Sequence, residues 1–76
     1  MIPQRGTVLQ VVETARYAPD AAGLADVTSS DETGIELHLR ALRKTYWYDW
    51  RPSAVGDVVL SPRSRGPRLR VVAAPR

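Results

Sequence analysis

The sequence contains no cysteine and only one histidine, His38, among its 76 residues. Disulfide bonds and thiolate metal sites are therefore excluded, and so is a zinc site built from several imidazoles. Small domains often depend on such cross-links, because a chain of this length buries only about 60% of its unfolded surface. Two other sources of stability remain. One is a closed, well-paired sheet, and the other is assembly into a homo-oligomer or a larger complex. We expect no metal and no other cofactor.

Long apolar runs are also missing. No stretch approaches the roughly 20 apolar residues that cross a bilayer, and residues 1–5 lack the apolar centre of a signal peptide. We therefore expect a soluble, cytoplasmic protein with no membrane partner. The abundance of Ala, Arg, Val and Pro is typical of a GC-rich genome, such as that of an actinobacterium or one of its phages. A phage protein would occupy the host cytoplasm or the virion.

The sequence offers little for catalysis. A nucleophilic triad needs a nucleophile, a base and an orienting group, and His38 is the only imidazole. It lies in a segment where polar and apolar residues alternate, which is typical of an exposed histidine on a strand. Asp57 follows Gly56 and is expected to bind the backbone donors of a turn. Since no glycine-rich phosphate loop is present either, we predict that the protein is not an enzyme.

Alternation with a period of two is the main structural signal. Segment 35–41 alternates apolar with polar residues, which predicts a strand whose apolar face runs as far as Ala41. Segment 24–30 would pair with it across a turn in which Gly34 is available for a positive φ. The alternative is a helix over 36–44, because this segment consists mostly of good helix formers.

Further strands are predicted where β-branched or aromatic residues cluster between turn signals. These segments are 7–13, 46–50, 58–60 and 68–72. The first is almost continuously apolar, which predicts burial on both of its faces for part of its length. Five or six short strands at regular spacing predict an all-β fold, a small barrel of the OB or SH3 type. It would form one domain over residues 1–76, with 73–76 as a flexible tail.

Four of the five aromatic residues stand close together, namely Tyr46, Trp47, Tyr48 and Trp50. On a strand, Trp47 points away from the other three. It shares its face with Asp49 and Arg51, whose burial would be costly, so one face should reach solvent, either that of Trp47 or that of the other three rings. Of the two, we favour Trp47 as the exposed ring and Trp50 as part of the core. Exposed rings beside cations suit single-stranded nucleic acid, because bases stack on rings at about 1–3 kcal/mol each. The alternatives are a purely structural core and a protein-binding patch.

The charge is unevenly distributed along the chain. Residues 1–39 contain two basic residues against six acidic ones, whereas residues 40–76 contain nine against two. A basic half is typical of a surface that faces a polyanion, and the alternative is an arginine-rich surface that is merely solvated. The candidate phosphate contacts are Arg40, Arg43, Lys44, Arg51, Arg63, Arg65, Arg68 and Arg70. Among these, Arg63 and Arg65 are expected at the tip of a loop.

Residues 46–74 resemble a known DNA-binding domain. Tyr46-x-Tyr48 is followed by the string VGDVVLSP at 55–62 and by two valines at 71–72. This pattern resembles the start of the DNA-binding β-domain of the replication-restart helicase PriA, and similar strings occur in small phage proteins. Part of it is similar to the OB-fold of bacterial translation initiation factor one. The resemblance implies a small β-barrel that binds nucleic acid, although every helicase element of PriA is missing.

These observations favour a small, non-enzymatic module that binds nucleic acid, DNA or RNA, as a phage accessory factor. It would stack bases on the aromatic segment and contact phosphates with the basic half of the chain. The alternative is a structural or interaction protein, such as a virion assembly component or an inhibitor of a host protein. In that case the aromatic segment would be a protein-binding patch.

Overall fold

The computed structural model describes residues 2–14, 19–52 and 57–74, which form a closed barrel of six antiparallel strands. The strands are β1 (Val8–Thr14), β2 (Gly23–Ser30), β3 (Gly34–Leu39), β4 (Lys44–Pro52), β5 (Val58–Pro62) and β6 (Leu69–Ala73), and a 3₁₀ turn spans Pro19–Ala21. Each strand pairs with the next along the chain, and β6 pairs with β1 to close the barrel. The prediction of a small all-β barrel is confirmed. Within the described residues, no helix is long and apolar enough to span a membrane.

Strand alternation fills the interior of the barrel. The buried residues are Leu9, Val11, Ala21, Ala25, Val27, Ile35, Leu37, Leu39, Tyr48, Leu60, Leu69 and Val71. Successive strand residues face opposite sides of a sheet, so every second residue of β3 points inwards. Ile35, Leu37 and Leu39 are accordingly 0% exposed. The alternation read from segment 35–41 therefore identifies the core face of this strand correctly.

The order of the strands decides which connections lie at the same end of the barrel. Because each strand runs antiparallel to the one before it, alternate connections share an end. We use the name three-loop end for the end that holds residues 19–22, 40–43 and 63–68. The β2–β3 turn at 31–33 lies at the opposite end, together with the last residues of β4.

The connection between β3 and β4 is a turn, so the helix alternative for 36–44 is wrong. Residues 40–43 reverse the chain, and Leu39 then pairs with Lys44. Arg43 adopts a φ of 54°, and this left-handed conformation allows so short a reversal. Ala41 is exposed in the turn and does not extend the apolar face of β3.

The first and last strands, β1 and β6, also differ from the predictions. Leu9 and Val11 are buried on β1, but Val12 is 51% exposed because the β1–β6 register shifts next to it. Burial on both faces of β1 was therefore a wrong prediction. Ala73 belongs to β6, and the amide of Ala74 donates to a backbone carbonyl of β1, so neither residue is part of a flexible tail. Residues 75–76 and most of the predicted turn at 55–57 lie outside the described residues.

Candidate nucleic-acid interface

The aromatic segment lies on β4, and its rings are divided between the two faces of the sheet. Tyr48 is 0% exposed in the core, and Tyr46 and Trp50 are half-buried against that core. The Tyr46 and Tyr48 rings meet edge to face, with centroids 6.4 Å apart. The expected grouping of Trp50 with the two tyrosines is therefore seen. This inner row belongs to the core and does not form a stacking platform.

Trp47 points outwards, as strand alternation predicts, but it does not stand open to solvent. The Arg63 guanidinium lies over the indole, with its central carbon 5.0 Å from the ring centroid. A cation in this position is attracted by the electron-rich face of the ring. Trp47 is consequently half-buried. Trp47 thus lies on the outer side of the strand, as expected, but an arginine already occupies one face of its ring.

Arg63 is the centre of an ion-pair network and not a free cation at a loop tip. Its guanidinium donates to Asp31 at 2.7 Å, to Asp49 at 3.0 Å and to the Thr33 hydroxyl at 2.7 Å. These contacts join the residue that follows β5 to β4 and to the β2–β3 turn. We use the name Arg63 clamp for these four residues. Since its donors are occupied, Arg63 is a poor candidate for contact with phosphate, in contrast to the prediction.

Asp31 also caps the β2–β3 turn. Its Oδ1 accepts hydrogen bonds from the amides of Thr33 and Gly34, at 3.0 and 2.9 Å. The hydrogen bond from Arg63 is the largest of the influences that hold the pKa of the Asp31 carboxyl far below its usual value, and the amide of Thr33 adds to it. The Asp31 carboxylate is therefore ionised at neutral pH and stays paired with the Arg63 guanidinium.

Gly34 leaves space for this arrangement. It faces Asp49 across the β3–β4 ladder. A Cβ atom at this position would overlap the backbone carbonyl group of Tyr48 and would lie 3.0 Å from Nη2 of Arg63. Gly34 does not have a positive φ, so the expectation that it supplies a left-handed turn residue was wrong. Its role is to allow two strands to approach closely beneath the clamp.

Two more of the predicted phosphate contacts are held by carboxylates. Arg40 forms a bidentate pair with Asp26 at 2.6 and 2.8 Å, and this hydrogen bonding lowers the pKa of the Asp26 carboxyl. Arg70 lies 3.4 Å from Asp57 and 3.6 Å from Glu13. Both arginines are therefore neutralised locally, as in an ordinary surface ion pair.

The remaining predicted cations form no ion pair within the described part of the chain. They are Arg43, Lys44, Arg51, Arg65 and Arg68, and all of them are exposed. Four lie at the three-loop end, whereas Arg51 lies near the end of β4, at the opposite end of the barrel. We use the name basic end for the group formed by Arg43, Lys44, Arg65 and Arg68.

A packing contact brings the two connections of the basic end together. A Cβ atom on Gly66 would lie only 2.8 Å from Cγ of Tyr46, so the β5–β6 loop lies directly against the first residues of β4. Arg65 precedes Gly66, and Lys44 lies two residues before Tyr46. The loop that carries Arg65 is thus packed beside the strand that begins with Lys44. Asp20, in the 3₁₀ turn, is an exposed acidic residue at this end, and the local charge remains positive.

A groove of about 460 Å³ opens at the opposite end of the barrel. Its lining residues are Ile2, Glu32, Thr33, Asp49, Trp50 and Arg51. Trp50 and Arg51 place a ring beside a cation here, but Glu32 and Asp49 add two carboxylates to the same groove. Like charges repel at such short range, so this mixed site disfavours phosphate. Trp50 and Arg51 lie six and seven residues after Lys44 on β4, about 20 Å along the strand, although the groove shares Thr33 and Asp49 with the Arg63 clamp.

No family model, curated protein or solved structure matches this chain. The similarity of residues 46–74 to the PriA domain stays a prediction. Residues 2–14, 19–52 and 57–74 contain no group of three His, Asp or Glu side chains that could hold a metal ion. Fold and site thus define a class, a small closed barrel with four cations at one end that form no ion pair among the residues the structure describes.

Proposed function

We propose that this barrel binds nucleic acid through phosphate contacts made by its basic end. The observation that carries the proposal is a division among the cations. Arg40, Arg63 and Arg70 are each held by carboxylates, whereas the cations of the basic end form no ion pair in the described part of the chain. Four of the six described cations that form no ion pair lie at this end, on or next to the β3–β4 turn and the β5–β6 loop, and the other two are Arg5 and Arg51.

Cations without an ion pair contribute the most binding free energy when they contact phosphates. An arginine in an ion pair would have to give up its carboxylate, whereas an exposed, unpaired cation replaces the counterions that surround the nucleic acid. Each phosphate contact on duplex DNA changes the slope of log K against log salt by about −0.9. Four contacts would give a slope of roughly −3.6, which is the binding signature that we expect.

The backbone at Arg43 supports the same proposal. Its φ of 54° is a left-handed conformation, which glycine or asparagine adopts at lower cost than arginine. Strained backbone positions are enriched at functional sites. Arg43 occupies an exposed turn position at which glycine would be less strained. This is consistent with a role for the Arg43 side chain in binding.

The aromatic segment is a weaker candidate for a partner-binding surface than the basic end is. Tyr46 and Tyr48 pack inwards, and Trp47 is covered by Arg63. Base stacking on β4 is therefore not part of the proposal, and a protein-binding patch built on these rings has the same weakness. A role as a phage accessory factor remains a prediction from composition.

Two variants in the same turn provide a matched test. We expect Arg43→Gln to weaken binding of a duplex of about 20 base pairs several-fold and to reduce the magnitude of the salt slope by about one. Arg40→Gln removes the same charge three residues away, but that side chain already pairs with Asp26. It should leave the slope nearly unchanged. Fluorescence anisotropy across a salt series measures both quantities, and equal effects of the two variants or salt-independent binding would refute the proposal.

A further inference from the structure

We infer that the nucleic acid bound is a duplex, held through its phosphates without stacking of bases on the protein. This inference rests on the proposed function and makes it specific. It also departs from the sequence-based prediction, which combined cations with stacking rings. Three features support a duplex: the burial of the rings, their position relative to the cations, and the charge density of duplex DNA.

Proteins that bind single strands need accessible ring faces, because stacking supplies much of their affinity. The rings of β4 near the basic end do not offer such faces. Tyr48 is 0% exposed, and Tyr46 is half-buried, with the Tyr48 ring meeting it edge to face and Gly66 beside it. Arg63 lies over Trp47 on the outer wall. The fifth aromatic residue, Tyr17, lies outside the described residues.

Trp50 is half-buried and lines a groove, but it lies too far along β4 from Lys44 to act together with that cation. It lines the groove at the opposite end of a molecule that measures 28 × 24 × 24 Å. The cations lie on the β3–β4 turn, on the first residue of β4 and on the β5–β6 loop. Because Trp50 lies about 20 Å along β4 from Lys44, a strand whose phosphates contact Lys44 would leave its bases far from Trp50. Ring and cations therefore do not form one single-strand site.

A duplex suits a cluster of cations without rings. It carries one phosphate per 1.7 Å of axis, about twice the density of one of its strands. Cations on two neighbouring connections can contact phosphates of both strands across a groove. The minor groove is about 6 Å wide and the major groove about 12 Å. Phosphates carry no direct sequence information, so duplexes of different sequence should bind equally well.

Fluorescence anisotropy with the wild-type protein tests the inference. The probes are a duplex of about 20 base pairs, each of its separated strands, and an oligothymidine of equal length. We expect at least five-fold tighter binding of the duplex at low salt, a steeper salt slope for the duplex, and similar affinities for two duplexes of unrelated sequence. Tryptophan emission should be unquenched by the single strands, because no base stacks on Trp47 or Trp50.

The outcomes separate the inference from the proposed function. If a single strand binds as tightly as the duplex and quenches tryptophan emission, the inference is wrong, but binding of nucleic acid stands. If the single strand binds as tightly without quenching, the preference for duplex is likewise refuted. If neither probe binds, or if binding does not weaken with salt, the proposed function fails and the inference fails with it.

Discussion

Replacing Gly34 with alanine is expected to cost about 3 kcal/mol of stability or more, because the new methyl group would overlap backbone atoms. The overlapped group is the Tyr48 carbonyl on the neighbouring strand β4, which cannot rotate away as a side chain could. β3 and β4 would have to separate locally. Since Arg63 and Asp31 meet beside Gly34, the Arg63 clamp and the cap of the β2–β3 turn should be disturbed as well.

Thermal unfolding followed by circular dichroism measures this effect. For a domain of this size, 1 kcal/mol corresponds to a change of about 4–8 °C in melting temperature, so a fall of roughly 12 °C or more is expected. Gly34→Asn should be no better tolerated than Gly34→Ala, because the problem is space and not a positive φ. Glu32→Ala, at an exposed position in the same turn, is the control and should melt close to the wild type. A Gly34→Ala protein as stable as the wild type would contradict the account of this position.

The second large effect is expected at Tyr48. Truncation to alanine should cost about 3–5 kcal/mol, because it removes a large ring from the centre of the barrel. This approaches the whole stability of a 76-residue domain, which is roughly 4–11 kcal/mol, so much of the protein should unfold. The neighbouring ring, Trp47, lies on the outer wall, and Trp47→Ala should keep the fold and lose less stability than Tyr48→Ala.

Urea titrations of the two variants measure the difference directly, because the midpoint falls with stability. Duplex binding of Trp47→Ala should equal that of the wild type, since the indole is covered by Arg63 and makes no contact with nucleic acid. The account would be contradicted if Trp47→Ala unfolded more readily than Tyr48→Ala. It would also be contradicted if Trp47→Ala kept its fold and lost duplex binding.

Strand alternation explains why so much of the fold could be predicted from the sequence. The period of two in segment 35–41 identified the core side chains of β3, and the same period separated Trp47 from the other rings of β4. Such signals are local, since each depends on residues within one strand. The turn at 40–43 was harder to predict, because its residues are good helix formers and the reversal depends on one left-handed arginine.

The candidate site was less predictable, because pairing of charges depends on contacts between distant parts of the chain. Arg63 and Asp31 are 32 residues apart, and they meet only because β5 and the β2–β3 turn lie on opposite sides of β4. The sequence-based prediction treated seven arginines and Lys44 as available for phosphate, without regard to carboxylates that could pair with them. The Arg40–Asp26 pair spans 14 residues of one hairpin, and an explicit β2–β3 register would have suggested it. No comparable signal pointed to the close approach at Gly34.

Amide chemical-shift mapping with an isotope-labelled protein and a short duplex tests the central claim most directly. The claim is that the unpaired cations at the three-loop end make the phosphate contacts. The account predicts shift changes concentrated in residues 43–46 and 64–68, at low salt, and their loss as salt is raised. Changes centred instead on the groove formed by Glu32, Trp50 and Arg51, with the basic end unaffected, would contradict it.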